Sequence, residues 1–313
     1  MVASVGAAGG GVVLATVMSF TQDLPDPVLL EDLSFAQPTI VYDRTGTVEL
    51  GRFQAQDRRV VPFEEIPTML LDATTNTEDR TFWENEGFDP AAILSAAADH
   101  LTGASSRGAS TVTQQLVRAR LLPEELVAEG ADAYQRKVAE IIQAARVTGA
   151  SPGEGGKRRI ITAYLNQNFY GHDAYGIASA ASTYFGVTDL SKLTPAQAAL
   201  LAGLPKSPST LDPYLYATRD KKGRLIVDPT SPPILRRDYI LGNLNVGRWT
   251  HLTPVEIAAA RAEPVVLVGD RPIIYRAPHF MWQVRDELVR HFGSLEAVET
   301  GGYRVITTLD WKA

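Results

Sequence analysis

From Arg136 to Val147 the chain reads RKVAEIIQAARV, and this stretch decides the fold class. Val138, Ile141, Ile142 and Ala145 recur at i, i+3, i+4 and i+7, the repeat of one helix face rather than the alternation of a strand. Arg136, Glu140 and Gln143 fall on the opposite face, with Lys137 at its flank. On spacing alone that second face reads as solvated, its Arg136–Glu140 i,i+4 pair adding about 0.2–0.5 kcal/mol.

The same grammar spreads outward. Thr194-Pro195-Ala196-Gln197 offers an N-cap, a proline at the first helical position and a glutamine three residues after the cap. Thr253-Pro254-Val255-Glu256 repeats it, and Ser231-Pro232-Pro233 opens a further helix through Ile234, Arg237 and Ile240. The chain therefore reads as helical from about residue 63 to Arg261, with glycine- and serine-rich loops between Gly103 and Gly108 and between Gly149 and Gly156. Strand character flanks this block. Thr39–Asp43 and Thr47–Phe53 form a hairpin around Arg44-Thr45-Gly46, Arg58–Pro62 reads as a short strand, and Tyr303–Leu309 closes the chain with another.

With 313 residues, 45% of them apolar, and a formal net charge of −6, the chain can bury a large core and lacks the basic excess of a nucleic-acid binder. Cysteine is absent, which excludes disulfides and thiolate metal sites. His100, His172, His251, His279 and His291 are scattered and form no HExxH, which argues against metal-hydrolase chemistry. Val2–Phe20 carries no charge and approaches the roughly 20 residues needed to span a bilayer, so residues 1–22 are expected to be a transmembrane signal anchor rather than a cleaved signal peptide.

Three places carry chemistry. Glu78-Asp79 precedes Phe82-Trp83 and Gly87-Phe88-Asp89; alone, such a pair is most often a solvated helix end. Arg107-Gly-Ala-Ser-Thr-Val-Thr-Gln-Gln-Leu packs hydroxyls and amides that could cradle a sugar or phosphate, or merely cap a helix. Arg136–Arg159 holds six basic residues (Arg136, Lys137, Arg146, Lys157, Arg158, Arg159) against Glu140 and Glu154, so 6 − 2 = +4 in a net-negative protein. Such a patch suits an anionic ligand or an anionic membrane surface.

In this order the segments resemble the peptidoglycan glycosyltransferases of class A penicillin-binding proteins, glycosyltransferase family 51. The motif E-D-x-x-F-x-x-H-x-G is matched from Glu78 to Gly87 except that Asn85 stands for histidine, and G-x-S-T-x-T-Q-Q-L is complete from Gly108 to Leu116. The Lys-Asn that often follows reads Arg118-Ala119. R-K-x-x-E is Arg136–Glu140, with Thr148 where an acidic residue often stands further along. K-x-x-I-L-x-x-Y-L-N is Lys157–Asn166 with Ile161 for leucine, and R-R-x-x-V-L is Arg236–Leu241 with Ile240 for valine.

The resemblance implies a mainly α, lysozyme-like glycosyltransferase domain over residues 63–262, after a spacer and β-hairpin over 23–62. Residues 263–313 would form a short β-containing linker towards a transpeptidase domain whose Ser-x-x-Lys and Lys-Thr-Gly motifs do not occur in these residues. It implies inverting polymerisation of lipid II into β-1,4 glycan with release of polyprenyl diphosphate. Glu78 would be the general base, and Glu140 a second catalytic carboxylate orienting cations. Asp79, Arg107, Ser110, Thr111, Gln114, Gln115, Arg118, Arg136, Lys137 and Asn166 would bind substrate. A divalent cation, Mg or Mn, is implied, with its ligands unspecified and no organic cofactor. The implied partners are lipid II, the nascent lipid-linked glycan, the cytoplasmic membrane and other wall-synthesis proteins, not nucleic acid. The implied location is the bacterial cytoplasmic membrane, single-pass, with the catalytic domain outside. Two rivals remain, a lysozyme-like lytic enzyme and a non-catalytic scaffold. The polymerase reading requires Glu78 and Glu140 to share one groove with the cations.

Overall fold

The computed structural model describes residues 24–27, 33–95, 110–269 and 275–312. The expected signal anchor over residues 1–22 and the site residue Arg107 lie outside the described residues. Among the described residues no helix is long and apolar enough to cross a membrane. The chain divides into two compact units, Met1–Leu33 with Glu78–Tyr164, and Ser34–Thr77 with Leu165–Ala313.

The first unit carries the chemistry-bearing segments. Its frame is α2 (Val112–Arg120) packed on α4 (Ala133–Ala150), with the short α3 (Glu124–Val127) beside α4. Each start has a local cause. Thr111 caps α2 in a reciprocal box with Gln114, and Asp132 caps α4 by accepting from the N–H groups of Tyr134 and Gln135. A further helix, α5, runs Gly153–Gln167. Gly156 has no room for a Cβ, which would lie 1.6 Å from the carbonyl oxygen of Ser151.

On α4 the structure reverses the expected burial. Ala139, Glu140, Gln143, Ala144, Val147 and Thr148 are the buried positions, while Val138, Ile141, Ile142 and Ala145 are only half-buried. The polar face turns inward because its groups find partners there; the apolar stripe is left at the surface.

The second unit combines helices with small sheets. Here α1 (Thr68–Glu78) begins, and α6 (Ile177–Phe185), α7 (Pro195–Gly203), α8 (Pro232–Asn243) and α9 (Pro254–Ala262) follow, with α7 packed on α8. The capping boxes read at Thr194 and Thr253 are both present. Strands β1 (Thr39–Tyr42) and β2 (Glu49–Phe53) form the expected hairpin, with Gly46 at φ +70° in its turn. β3 (Asp57–Arg58) pairs with β4 (Ala174–Tyr175). The helical reading fails between α7 and α8, where β5 (Ala217–Arg219) and β6 (Leu225–Val227) form a hairpin joined by β7 (Val266–Leu267). Its turn is local chemistry: Asp220 accepts from the N–H groups of Lys222 and Arg224, and Gly223 takes φ +77°.

Strands from residues 23–62 and 263–313 join in one sheet. β8 (Arg304–Ile306) lies parallel to β1 at the edge of the order β2-β1-β8. α10 (Pro278–Phe292) and α11 (Leu295–Thr300) pack with that sheet around Val41, Leu50, Phe53, Met281, Val284 and Val298.

Candidate active site

One face of α2 reaches both predicted carboxylates. Gln115 Nε2 donates to Glu78 Oε2 at 3.2 Å, and Tyr164 donates its hydroxyl to Gln115 Oε1 at 3.1 Å. Glu78 ends α1 and is half-buried. One turn along α2, Arg118 closes a two-pronged contact on Glu140, Nε to Oε1 at 2.5 Å and Nη2 to Oε2 at 3.0 Å. Three residues of helix rise about 4.5 Å, so the groups holding Glu78 and Glu140 are neighbours on one surface.

Glu140 is fully buried yet ringed by cations. Besides Arg118, Arg136 Nε lies 3.7 Å and Lys137 Nζ 3.2 Å from its carboxylate. The three cation side chains are between about a third and under half exposed, at 32–44%, whereas the Glu140 side chain is 1% exposed. The i,i+4 pair expected on a solvated face is thus part of an inward cluster of net charge 3 − 1 = +2. Lys137 also donates to Ser110 Oγ at 2.8 Å and Gln114 Oε1 at 3.1 Å. Burial pulls the Lys137 ammonium below its usual range, against the attraction of Glu140.

Asp79, Thr111 and Gln114, expected to bind substrate, are hydrogen-bonded at the start of α2. All three are buried. Asp79 Oδ2 accepts from the N–H of Val112 at 3.1 Å, in the first turn of α2. Thr111 donates to the Gly87 carbonyl at 2.6 Å while accepting from Gln114 N. Gln114 returns the contact to Thr111 N at 3.3 Å. A helix start leaves free N–H groups, and these three side chains help to cover them and to tie the turn after Glu78 to α2, while Gln114 Nε2 is left without a hydrogen-bond partner. Burial pushes the Asp79 carboxyl up, opposed by its hydrogen bonds from Asn85 and Val112 and by the Lys157 charge.

Asn166, also expected to bind substrate, is 1% exposed. Its buried amide donates to the Val61 carbonyl at 2.8 Å and accepts from Val61 N at 3.0 Å, within the second unit. Both ends of the amide are spent on backbone. Gln115, Arg118, Arg136, Lys137 and Ser110 are the predicted residues that the structure gathers with Glu78 and Glu140.

Two groups outside the predicted set complete the turn. Gly87, at φ +92°, lies so close to α4 that a Cβ would sit 2.3 Å from the Ala144 carbonyl oxygen. Asn85 is held among Asp79, Thr81, Gly87 and Lys157. The motif signalled both positions, but not their contacts.

Among the described residues no three His, Cys, Asp or Glu side chains converge, and both oxygens of Glu140 already face cationic donors. The cluster's own guanidinium and ammonium groups are what the site offers an anion.

A family model described as transglycosylase matches residues 46–240. Penicillin-binding protein 1A of Vibrio cholerae is 35% identical over 292 residues, covering 93% of this chain and 32% of that protein. The penicillin-binding protein 1A of Rickettsia bellii is 33% identical over 310 residues, 97% of this chain and 36% of the relative. A crystal structure of penicillin-binding protein 1A from Haemophilus influenzae aligns over 90% of this chain and 28% of its own, with 26% identity and a TM-score of 0.44. The chain thus spans about a third of the length of the relatives it matches.

Proposed function

The chain belongs to the transglycosylase family, and from that premise we propose that it is a peptidoglycan glycosyltransferase, joining lipid-linked disaccharides of lipid II into β-1,4 glycan. The observation that carries this reading is the single α2 face on which Gln115 holds Glu78 and Arg118 holds a buried, cation-ringed Glu140.

A sugar hydroxyl is a weak nucleophile near neutral pH and needs a positioned base. Glu78 suits that role, being half-buried and steadied by Gln115 so that its carboxylate keeps one orientation. The 4-hydroxyl of the acceptor sugar gives its proton to Glu78 as it attacks the donor's anomeric carbon. The bond to the lipid diphosphate breaks on the far side, inverting that carbon. The departing oxygens gain negative charge, and Arg118, Arg136 and Lys137 supply the compensating field. At about 4 Å and an effective dielectric near 20, each cation–oxyanion pair contributes about 4 kcal/mol before solvent screening. Glu140 holds the three cations together while no diphosphate is present, keeping like charges adjacent. Preorganised charge of this kind acts where charge develops in the transition state.

The lytic alternative fits less well, because hydrolysis of glycan releases a sugar hydroxyl and gives three clustered cations nothing to neutralise. For the scaffold alternative, the motif departure at Asn85 would have to loosen the turn, yet four hydrogen bonds hold that side chain. A membrane-bound donor agrees with the surface of the first unit, where Leu94, Val127 and Tyr134 are exposed and the apolar stripe of α4 is half-exposed. Residues 121–130, which include Val127, are the segment we assign to the membrane-proximal region. The catalytic unit would then lie against the outer leaflet of the cytoplasmic membrane, where lipid II and the lipid-linked glycan are its partners.

Incubation of the 313-residue chain with labelled lipid II, and separately with intact peptidoglycan, tests the reading. Polymer from the first and no soluble fragments from the second are expected; fragments without polymer would transfer the assignment to a lytic enzyme.

A further inference from the structure

We propose that Asn85 is a positioning residue, a two-ended neutral link between the Asp79 carboxylate and the Lys157 ammonium that holds the Glu78 turn in register with α2. The proposal deepens the reading of Glu78 as base and rests on it.

The geometry uses every capacity of the amide. Asn85 Nδ2 donates to Asp79 Oδ1 at 2.8 Å and to Thr81 Oγ1 at 3.2 Å. Asn85 Oδ1 accepts from Lys157 Nζ at 3.0 Å and from Gly87 N at 3.0 Å. The partners fix the orientation of the amide: a flipped one would set its oxygen against a carboxylate and its NH2 against an ammonium. From Asp79 the connection continues through Oδ2 to Val112 N at the start of α2, the helix whose Gln115 holds Glu78. Lys157 thus reaches Glu78 through Asn85, Asp79 and one turn of helix.

Among the described residues, few groups around Asn85 titrate. Lys157 is 5% exposed and lies 4.9 Å from the centroid of the Phe82 ring. Asp79 is the carboxylate it faces, Glu86 attracts the Lys157 charge, and Asp89 accepts from Thr81 at 2.9 Å. Burial holds the Lys157 ammonium down at about 8, against the pull of Asp79 and Glu86. Asn85 stands uncharged between Asp79 and Lys157. It must donate a hydrogen bond to one neighbour and accept one from the other.

That double demand explains what asparagine does where the motif carries histidine. A neutral imidazole can donate from one nitrogen and accept at the other, but an imidazolium has two donors and no acceptor. Protonated, it would turn an N–H towards the Lys157 ammonium. Asparagine makes both contacts at any pH at which Asp79 and Lys157 stay charged, and it adds no titrating group of its own between them.

The test is lipid II polymerisation by N85A and N85H across about pH 5.5–8, bracketing the ordinary imidazole value near 6.5, with unfolding followed over the same range. N85A should lose about 10- to 100-fold in kcat, the scale of a roughly 1 Å misplacement, with KM within about twofold. N85H should recover turnover relative to N85A near pH 8, then lose it about tenfold below about pH 6.5, an acid limb absent from the unmutated chain. The folded state disfavours the imidazolium, so the Tm gap between N85H and the unmutated chain should widen as pH falls through that value. Equal kcat for N85A, or identical pH profiles for N85H and the unmutated chain, overturns the proposal. If the unmutated chain makes no polymer, the base reading falls. The pH-dependent Tm gap then shows whether the link itself failed as well.

Discussion

Gly87→Ala addresses the contact that presses the catalytic turn onto α4. Two effects add at this position. An alanine at φ +92° enters the left-handed region, which costs about 1–2 kcal/mol for a residue with a Cβ. That Cβ would also lie 2.3 Å from the Ala144 carbonyl oxygen and 2.7 Å from Thr148 Oγ1, and the backbone oxygen cannot rotate away. Overpacking of this kind costs about 1–3 kcal/mol. The sum, about 2–5 kcal/mol, is a large share of a typical 5–15 kcal/mol stability and corresponds to a Tm loss of about 5–15 °C. Gly130→Ala is the control: φ is +85°, but nothing lies within 4 Å of the added carbon, so only the first effect applies. Differential scanning calorimetry of both variants, with turnover measured well below Tm, separates them. G87A should unfold at lower temperature than G130A and lose turnover as Glu78 shifts. Equal Tm losses with unchanged turnover in G87A would refute the claim that this contact sets the turn.

Asp72→Ala should destabilise the second unit by about 2–4 kcal/mol in denaturant titrations, because buried Asp72 accepts from the N–H groups of Arg248, Trp249 and Thr250 at 2.7–3.0 Å. Glu140→Ala removes the counter-charge shared by Arg118, Arg136 and Lys137, and turnover should fall on the order of 100-fold with a steeper salt dependence. Lys157 makes stability depend on pH. Its folded value of about 8 lies below the ordinary 10.5, so the unfolded chain binds more protons between these values and stability rises with pH across that window. Chemical denaturation of K157M over the same window should show that rise flattened.

Elements built from local chemistry are legible in the sequence. Thr194-Pro195 and Thr253-Pro254 start helices because the cap, the proline and the amide or carboxylate three residues past the cap all lie within four residues. The β1–β2 hairpin needs only Gly46 between two β-rich runs. What escapes is set by distant partners. Periodicity on α4 marks the apolar stripe, yet the inward face is the polar one, because Arg118 and Lys137 make burial of Glu140 tolerable. The division of the second motif likewise depends on geometry: Thr111 and Gln114 cap α2, whereas Gln115 and Arg118 project to the two carboxylates. The β5–β6 hairpin could have been found from Asp220 and Gly223 just before Leu225-Ile226-Val227, a turn signal inside a stretch read as helical.

Glu78 acting as base beside a separate cation cluster is the central claim, and steady-state polymerisation of lipid II by E78Q measures it directly. The amide keeps the shape of the carboxylate and can still meet Gln115, so KM should stay within about twofold while kcat falls on the order of 10²–10⁴-fold, the usual contribution of a general base. Polymerisation by E78Q at the rate of the unmutated chain would contradict it.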